Sequence, residues 1–181
     1  MANCSKFSPD GSKICASLFG GGFYIYNSSD LSELVSYIYP IKIEGTFEVG
    51  LMQDKHNDEK LRIVVGDSDK QFRVYDYDQE KKSIVTIKEK DACHGDAIKM
   101  VNVEHKDLIV TGSRDGVAKV WNKKDFEFRG RIVGHVDQIV SSSFQPGNKG
   151  IFLTASWDLH VNVYDMNSLP NLPVPTEEVK K

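Results

Sequence analysis

The segment TGSRDGVAKVWN at residues 111–122 recurs 43 positions later as TASWDLHVNVYD at residues 154–165. Self-similarity at a fixed period of this size marks an array, in which one supersecondary unit is stacked repeatedly and buries its apolar faces against its neighbours. Each copy reads as strand, tight turn, strand, and each closes on an aromatic residue followed by Asn or Asp. A His lies upstream of each copy, His94 in CHGD and His135 in GHVD.

Earlier in the chain, VVGDSDKQFRVYD at residues 64–76 is a third copy and CASLFGGGFYIYN at residues 15–27 a degenerate fourth. The aromatic closers are Tyr26, Tyr75, Trp121 and Tyr164, spaced by 49, 46 and 43 residues. A four-stranded blade takes roughly 40 to 45 residues, and the loops at 52–60 and 79–83 absorb the excess. Runs such as IVVG, FRVYD, LIVTGS, AKVWN and IFLTAS are short, β-branched or aromatic, and bounded by Gly, Asp, Asn and Ser, which is strand chemistry. Apolar residues come in runs rather than strict alternation, as expected of strands covered on both faces.

Taken together these residues resemble the WD-repeat family of β-propellers over residues 2 to about 166, most clearly in the last two copies. The resemblance implies an all-β fold, a propeller or partial propeller of about four four-stranded blades at residues 2–39, 40–90, 91–133 and 134–168. The Pro-containing tail at 169–181 is expected to be flexible. DLSELVSYIY at 30–39 has the best claim to a helical period, but the propeller reading makes its second half the outer strand of the first blade.

The family pattern also implies a buried chain of hydrogen bonds in which the turn Asp accepts from the loop His, the His meets a strand Ser, and the Trp indole donates to that Ser. In the third blade these are His94, Ser113, Asp115 and Trp121; in the fourth they are His135, Ser156, Asp158 and Tyr164, with Tyr in place of Trp. In the second blade Asp69 and Tyr75 match, but IEGTFEVG offers no His, and in the first the triple glycine of LFGGGF replaces the turn Asp. Those two blades are expected to be less tightly cross-linked. Ser, His and Asp are also the members of a hydrolase triad, which would need an open nucleophile beside an oxyanion hole. There is no GxSxG elbow, and the same trio one blade apart points to architecture.

The balance of 23 basic and 26 acidic residues, a net charge of -3, argues against a surface that binds nucleic acid, and no apolar run is long enough to span a membrane. Direct nucleic-acid binding and membrane association are therefore not expected, and a cytoplasmic or nuclear location is. Cys4, Cys15 and Cys93 form an odd set without metal-ligand spacing. If SPDG at 8–11 is a two-residue hairpin turn, Cys4 and Cys15 fall opposite each other, either as a redox pair or as small buried hydrophobes. Arg129 and Arg131 in FRGR read as solvent-facing alternate residues.

Function in this family lies mainly on surfaces, so the expectation is a non-catalytic protein–protein interaction scaffold, a subunit or adaptor of a multiprotein complex, with no cofactor, metal or catalytic residue. Alternatives are an enzyme built on a propeller, or a substrate-recognition subunit of a larger assembly such as a ubiquitin ligase or ribonucleoprotein. The residues immediately before the turn Asp, Arg114 and Trp157, are hot-spot types at equivalent places in successive blades, and Phe19, Asp96 and Asp137 extend that face. Complete propellers have about four to eight blades and usually seven in this family. Four blades leave four readings: a fragment, an arc completed by another chain, two copies closing together, or a tight ring.

Overall fold

The computed structural model describes residues 1–39, 43–54, 57–90, 93–105, 107–147 and 150–166. They form four antiparallel sheets in chain order, in a four-blade β-propeller arrangement. The first blade holds β1 (Ala2–Phe7), β2 (Lys13–Leu18), β3 (Gly22–Asn27) and β4 (Glu33–Ile38). The second holds β5 (Thr46–Asp54), β6 (Asn57–Asp67), β7 (Phe72–Asp78) and β8 (Ser83–Lys90). The third holds β9 (Ile98–Asn102), β10 (Leu108–Ser113), β11 (Ala118–Asn122) and β12 (Phe128–Ile132). Among the described residues the fourth has three strands, β13 (Ile139–Phe144), β14 (Ile151–Ser156) and β15 (Val161–Asp165). The tail at 169–181 lies outside the described residues. The inner strands β1, β5, β9 and β13 pack in succession and line one concave cavity of about 380 Å³.

Every inner blade is covered on both faces, and the repeat explains how. Cys15, Val64 and Val110 occupy one position of successive blades, as do Phe23, Phe72 and Ala118, and Ile25, Val74 and Val120; all nine are buried and face the following blade. The opposite face carries Ile63, Ile109 and Phe152 together with the closers Tyr75, Trp121 and Tyr164, which turn toward the preceding blade. Across the first two seams an aromatic closer meets an aromatic residue at the start of the preceding blade's third strand: Phe23 and Tyr75 have ring centres 5.5 Å apart, and Phe72 stacks on Trp121 at 5.1 Å. Burying one such side chain contributes about 1.5–3 kcal/mol, so each seam is a major share of the core. Among the described residues buried clusters join first to second, second to third and third to fourth blade, and none joins the fourth to the first.

Two glycine positions set the spacing. Gly22 has φ +107°, and a Cβ there would lie 2.1 Å from the Tyr37 carbonyl oxygen, so the turn that replaces the missing Asp requires glycine. Gly66 faces the next blade's inner strand so closely that a Cβ would meet Ile98 Cγ2 at 2.4 Å and Val101 Cγ2 at 2.9 Å.

The expected opposition of Cys4 and Cys15 does not occur. Cys15 pairs with Lys6, because the first turn is longer than two residues, with Ser8 N–H bonding to Lys13 O. Both sulfurs pack into the seam between the first two blades, and burial pushes the Cys15 and Cys4 thiols up. Burial likewise pushes Cys93 up to about 12, so all three remain thiols at neutral pH.

Gly66→Ala should destabilise the protein by about 1–3 kcal/mol through overpacking against β-branched Ile98 and Val101, whereas Ala155→Gly, at the equivalent place on the uncovered side of the fourth blade, should change stability by under about 1 kcal/mol. Urea unfolding of both variants checks this; a neutral Gly66→Ala would show that β9 shifts freely and that the seam is loose.

Candidate functional site

At one end of the blades lie the β2–β3, β6–β7, β10–β11 and β14–β15 turns and the β4–β5, β8–β9 and β12–β13 loops, and under them sit four different polar anchors. In the third blade His94 Nε2 lies 2.8 Å from Thr111 Oγ1 and its Nδ1 3.3 Å from Asp115. The Trp121 indole donates to the same Thr111 oxygen at 2.9 Å. A carboxylate can only accept, so Nδ1 carries the proton, Nε2 is the acceptor, and the Thr111 hydroxyl donates to it while receiving the indole N–H. Asp115 also accepts the Gly95 and Val117 N–H groups at 2.7 and 2.9 Å, tying loop to turn.

The hydroxyl in this chain is therefore Thr111, not Ser113 as expected. Ser113 ends its strand, where its neighbours are backbone: its Oγ donates to Asp96 O at 2.9 Å and accepts the Asp115 N–H at 3.1 Å. Thr111 is one pleat deeper, level with His94 and Trp121. The fourth blade repeats the correction. His135 bridges Thr154 and Asp158, both at 2.8 Å, while Ser156 Oγ donates to Asp137 O at 3.0 Å. Tyr164 does not replace the indole donor; it forms no hydrogen bond to Thr154 and packs by its ring near Phe152.

The second blade is not the loosely linked unit expected from its missing His. Asp67 stands at the position of Ser113, fully buried, and accepts from Thr46 Oγ1 at 2.6 Å, from Tyr39 Oη at 3.1 Å and from Arg73. Arg73 is forked onto Asp69 as well and lies over the Tyr39 ring. Burial pushes the Asp67 carboxyl up to about 6 against the pull of Thr46 and Arg73. Thr46 Oγ1 also accepts the Gly22 N–H at 3.0 Å, so the first blade's glycine turn hangs on this network. A Tyr, an Arg and a second Asp thus replace the His, and the sequence signal was an acidic residue where the third and fourth copies have Ser.

Burial depresses His94, more than Asp115 raises it. Burial opposes ionisation of Asp115, but bonds from His94, Val117 and Gly95 hold it at about 2. Both imidazoles are buried with both ring nitrogens engaged, and Ser113 is buried, so the trio supports the loops rather than presenting a nucleophile.

Above these anchors the expected surface residues separate into neighbourhoods. Arg114 is exposed and Asp96 half-buried, and both lie within electrostatic reach of Lys99, whose ammonium sits over the Phe47 ring beside Glu44. Burial, then Arg114, depresses Lys99. Trp157 is exposed, its backbone N–H donating to Gln138 O at 3.1 Å, and Leu159 of the same turn and Val136 of the β12–β13 loop are exposed too. Asp137 is exposed and its carboxylate accepts the Gln138 N–H. Phe19 is exposed at the first blade's turn, bridged to Gly45. No ring contact joins Arg114 to Trp157 among the described residues. Sequence reasoning missed Phe47, Lys99, Val136 and Leu159, whose grouping depends on loop geometry.

Residues 91–122, the loop and first three strands of the third blade, match the family model described as WD domain, G-beta repeat. The structure is thus a four-blade β-propeller arrangement carrying a WD repeat. Among curated proteins the chain is similar to LEC14B protein of Lithospermum erythrorhizon, 25% identical over 134 residues, or 70% of this chain and 27% of that protein. It is also similar to peptidyl-prolyl cis-trans isomerase cyp15 of Rhizopus delemar, 35% identical over 82 residues, 44% of this chain and 13% of that protein. The chain therefore spans about a quarter or less of these relatives' lengths.

Thr111→Val strands both the imidazole Nε2 and the indole N–H and should cost about 2–3 kcal/mol, more than the roughly 1 kcal/mol of Ser113→Ala, read from paired denaturant titrations. Equal losses would return the anchor to Ser113. Because burial lowers the His94 pKa in the fold, the unfolded chain binds more protons at this group below about pH 6.5, and the His94 contribution to stability falls as pH drops, while Asp67, raised to about 6, contributes in the opposite sense. The difference in melting temperature between the parent and His94→Gln should therefore change between pH 5 and 8; a constant difference would show that His94 does not titrate differently in the fold.

Proposed function

We propose that this chain is a non-catalytic interaction scaffold, a subunit or adaptor of a protein complex in the cytoplasm or nucleus, and that it binds its partner through the loop end of the blades. One observation carries the reading: at that end polar networks fix each turn from beneath while Phe19, Trp157, Val136 and Leu159 are left exposed above them with the cation of Arg114. A surface of fixed aromatic, aliphatic and guanidinium groups loses little conformational entropy on binding and contains the residue types that dominate protein interfaces. The WD repeat at 91–122 supports the reading, since such repeats generally mediate protein–protein contact. The partner is a protein, engaged without a cofactor. The similarity to an isomerase covers only 13% of that protein and supports scaffold and enzyme alike.

A purified partner identified by cross-linking should bind the Arg114→Ala and Trp157→Ala variants more weakly, each by about fivefold or more, or about 1 kcal/mol, with melting unchanged. Calorimetric titration checks this. Undiminished affinity for the double variant would move the site off this face, and turnover of a proline-containing peptide by the chain alone would overturn the non-catalytic reading.

A further inference from the structure

The inner strands of the last three blades share one irregularity near their start. Ser113 pairs with Ile98 and Gly112 with Met100, so Lys99 is the extra residue of a bulge in β9; Phe47 in β5 and Val140 in β13 are extra in the same way. A bulge re-aims the additional side chain out of the ladder. In β9 its effect is plain: Ile98 and Met100, two residues apart, pack into different seams, while Lys99 between them sets its ammonium 3.1 Å from the centre of the Phe47 ring. A second cation stands beside it. The Arg114 backbone N–H donates to Ala97 O at 2.9 Å, which anchors the exposed Arg114 next to the start of β9. Burial depresses Lys99, Arg114 depresses it further, and Glu44 and Asp96 pull the other way, so the two cations are near enough to repel one another. Among the described residues neither has an ion-pair partner. The third blade lies between the second and the fourth, so this corner owes nothing to the outer faces of the arc.

We propose that Lys99 and Arg114 form a receptor for one carboxylate of a protein partner, supplied by an Asp or Glu side chain of the segment that docks on the loop end. The inference rests on the reading of that end as the binding face and names the chemistry it selects. An ammonium and a guanidinium held side by side offer several N–H donors to one anion, and charge-assisted bonds of this kind are the strong ones. The ring beneath Lys99 and the backbone tie of Arg114 fix the pair before the partner arrives, so less freedom is lost on binding. A carboxylate between them replaces their mutual repulsion with two attractions. Glu44 and Asp96 decide against a more highly charged ligand: a phosphoryl dianion would bring its second charge toward two carboxylates already within reach of Lys99, whereas a single carboxylate is matched by the two cations.

Selection of a random dodecapeptide phage library on the 181-residue chain should enrich Asp and Glu at one position. The probe is then a selected peptide made in three forms, with Glu, Gln or phosphoserine at that position. Gln should bind about tenfold more weakly than Glu, and phosphoserine no more tightly than Glu. Lys99→Met and Arg114→Met, each with the circular dichroism of the parent, should reduce the preference for Glu over Gln to about twofold or less, and Lys99→Arg should keep it. A library without acidic enrichment, or a preference unchanged in both Met variants, overturns the proposal, and tighter binding of phosphoserine overturns the choice of a carboxylate. Trp157→Ala should weaken the Glu and Gln peptides alike and leave their ratio intact. Peptides that depend on Trp157 but show no acidic preference reject the receptor and keep the binding face; peptides indifferent to Trp157, Lys99 and Arg114 together reject both.

Discussion

Burial of the forward faces of the first three blades, each beneath the next, is the interaction on which the rest depends. A four-stranded sheet with Val, Ile and Phe on both sides has nowhere to hide them alone, and the stacked neighbour removes them from water without adding a second layer type. That is why the apolar residues of β6 and β10 run consecutively: Ile63 and Val65 serve one seam while Val64 serves the next. It is also why glycine recurs as Gly66 and Gly112, each of which leaves room for an isoleucine of the following inner strand. Spacing between blades is thus set by side-chain volume, and loop placement at the blade ends follows from it.

Polar anchors then fix what apolar packing leaves free. Hydrophobic contact sets how close two blades come but not the orientation of a turn, and a buried His held between carboxylate and hydroxyl does both for its loop. The four blades reach this by different chemistry: a complete chain with an indole donor in the third, the same chain without that donor in the fourth, an ionic cluster around Asp67 in the second, and a glycine turn hung on Thr46 in the first. The charged cluster is the most demanding of these, because Asp67 and Arg73 are buried and each depends on the other for compensation.

Much of this was legible in the sequence because period, closing aromatics and turn residues are local signals. The strand order, the exposed Arg114 and Trp157 and the pairing of His94 with Asp115 and His135 with Asp158 all follow from repeat equivalence. What stayed hidden is what repeat equivalence cannot carry. TGS and TAS each offer two hydroxyls two residues apart on the same strand face, and only depth decides that Thr111 and Thr154 meet the imidazole. Arg73 reads as an ordinary strand residue, since nothing local says that Tyr39, from a separate segment, joins Asp67 and Asp69 of its own turn around it. The register of Cys15 was lost to a longer turn, which shifts pairing without changing composition.

The turn between second and third strands ties the packing to the surface. Gly21, Lys70, Gly116 and Leu159 occupy its same position in successive blades, and all four have positive φ, from 68° to 97°. The backbone demand is therefore constant, and the residue chosen reflects what lies above. A Cβ on Gly116 would come within 2.9 Å of His135 O, so the fourth blade's loop closes over that turn and only glycine fits beneath it. Leu159 accepts the same strained conformation with a branched side chain that is 94% exposed, a combination that costs conformational energy and gains little among the described residues. A large apolar residue in that position acquires a purpose when a partner surface reaches the loop end of the blades.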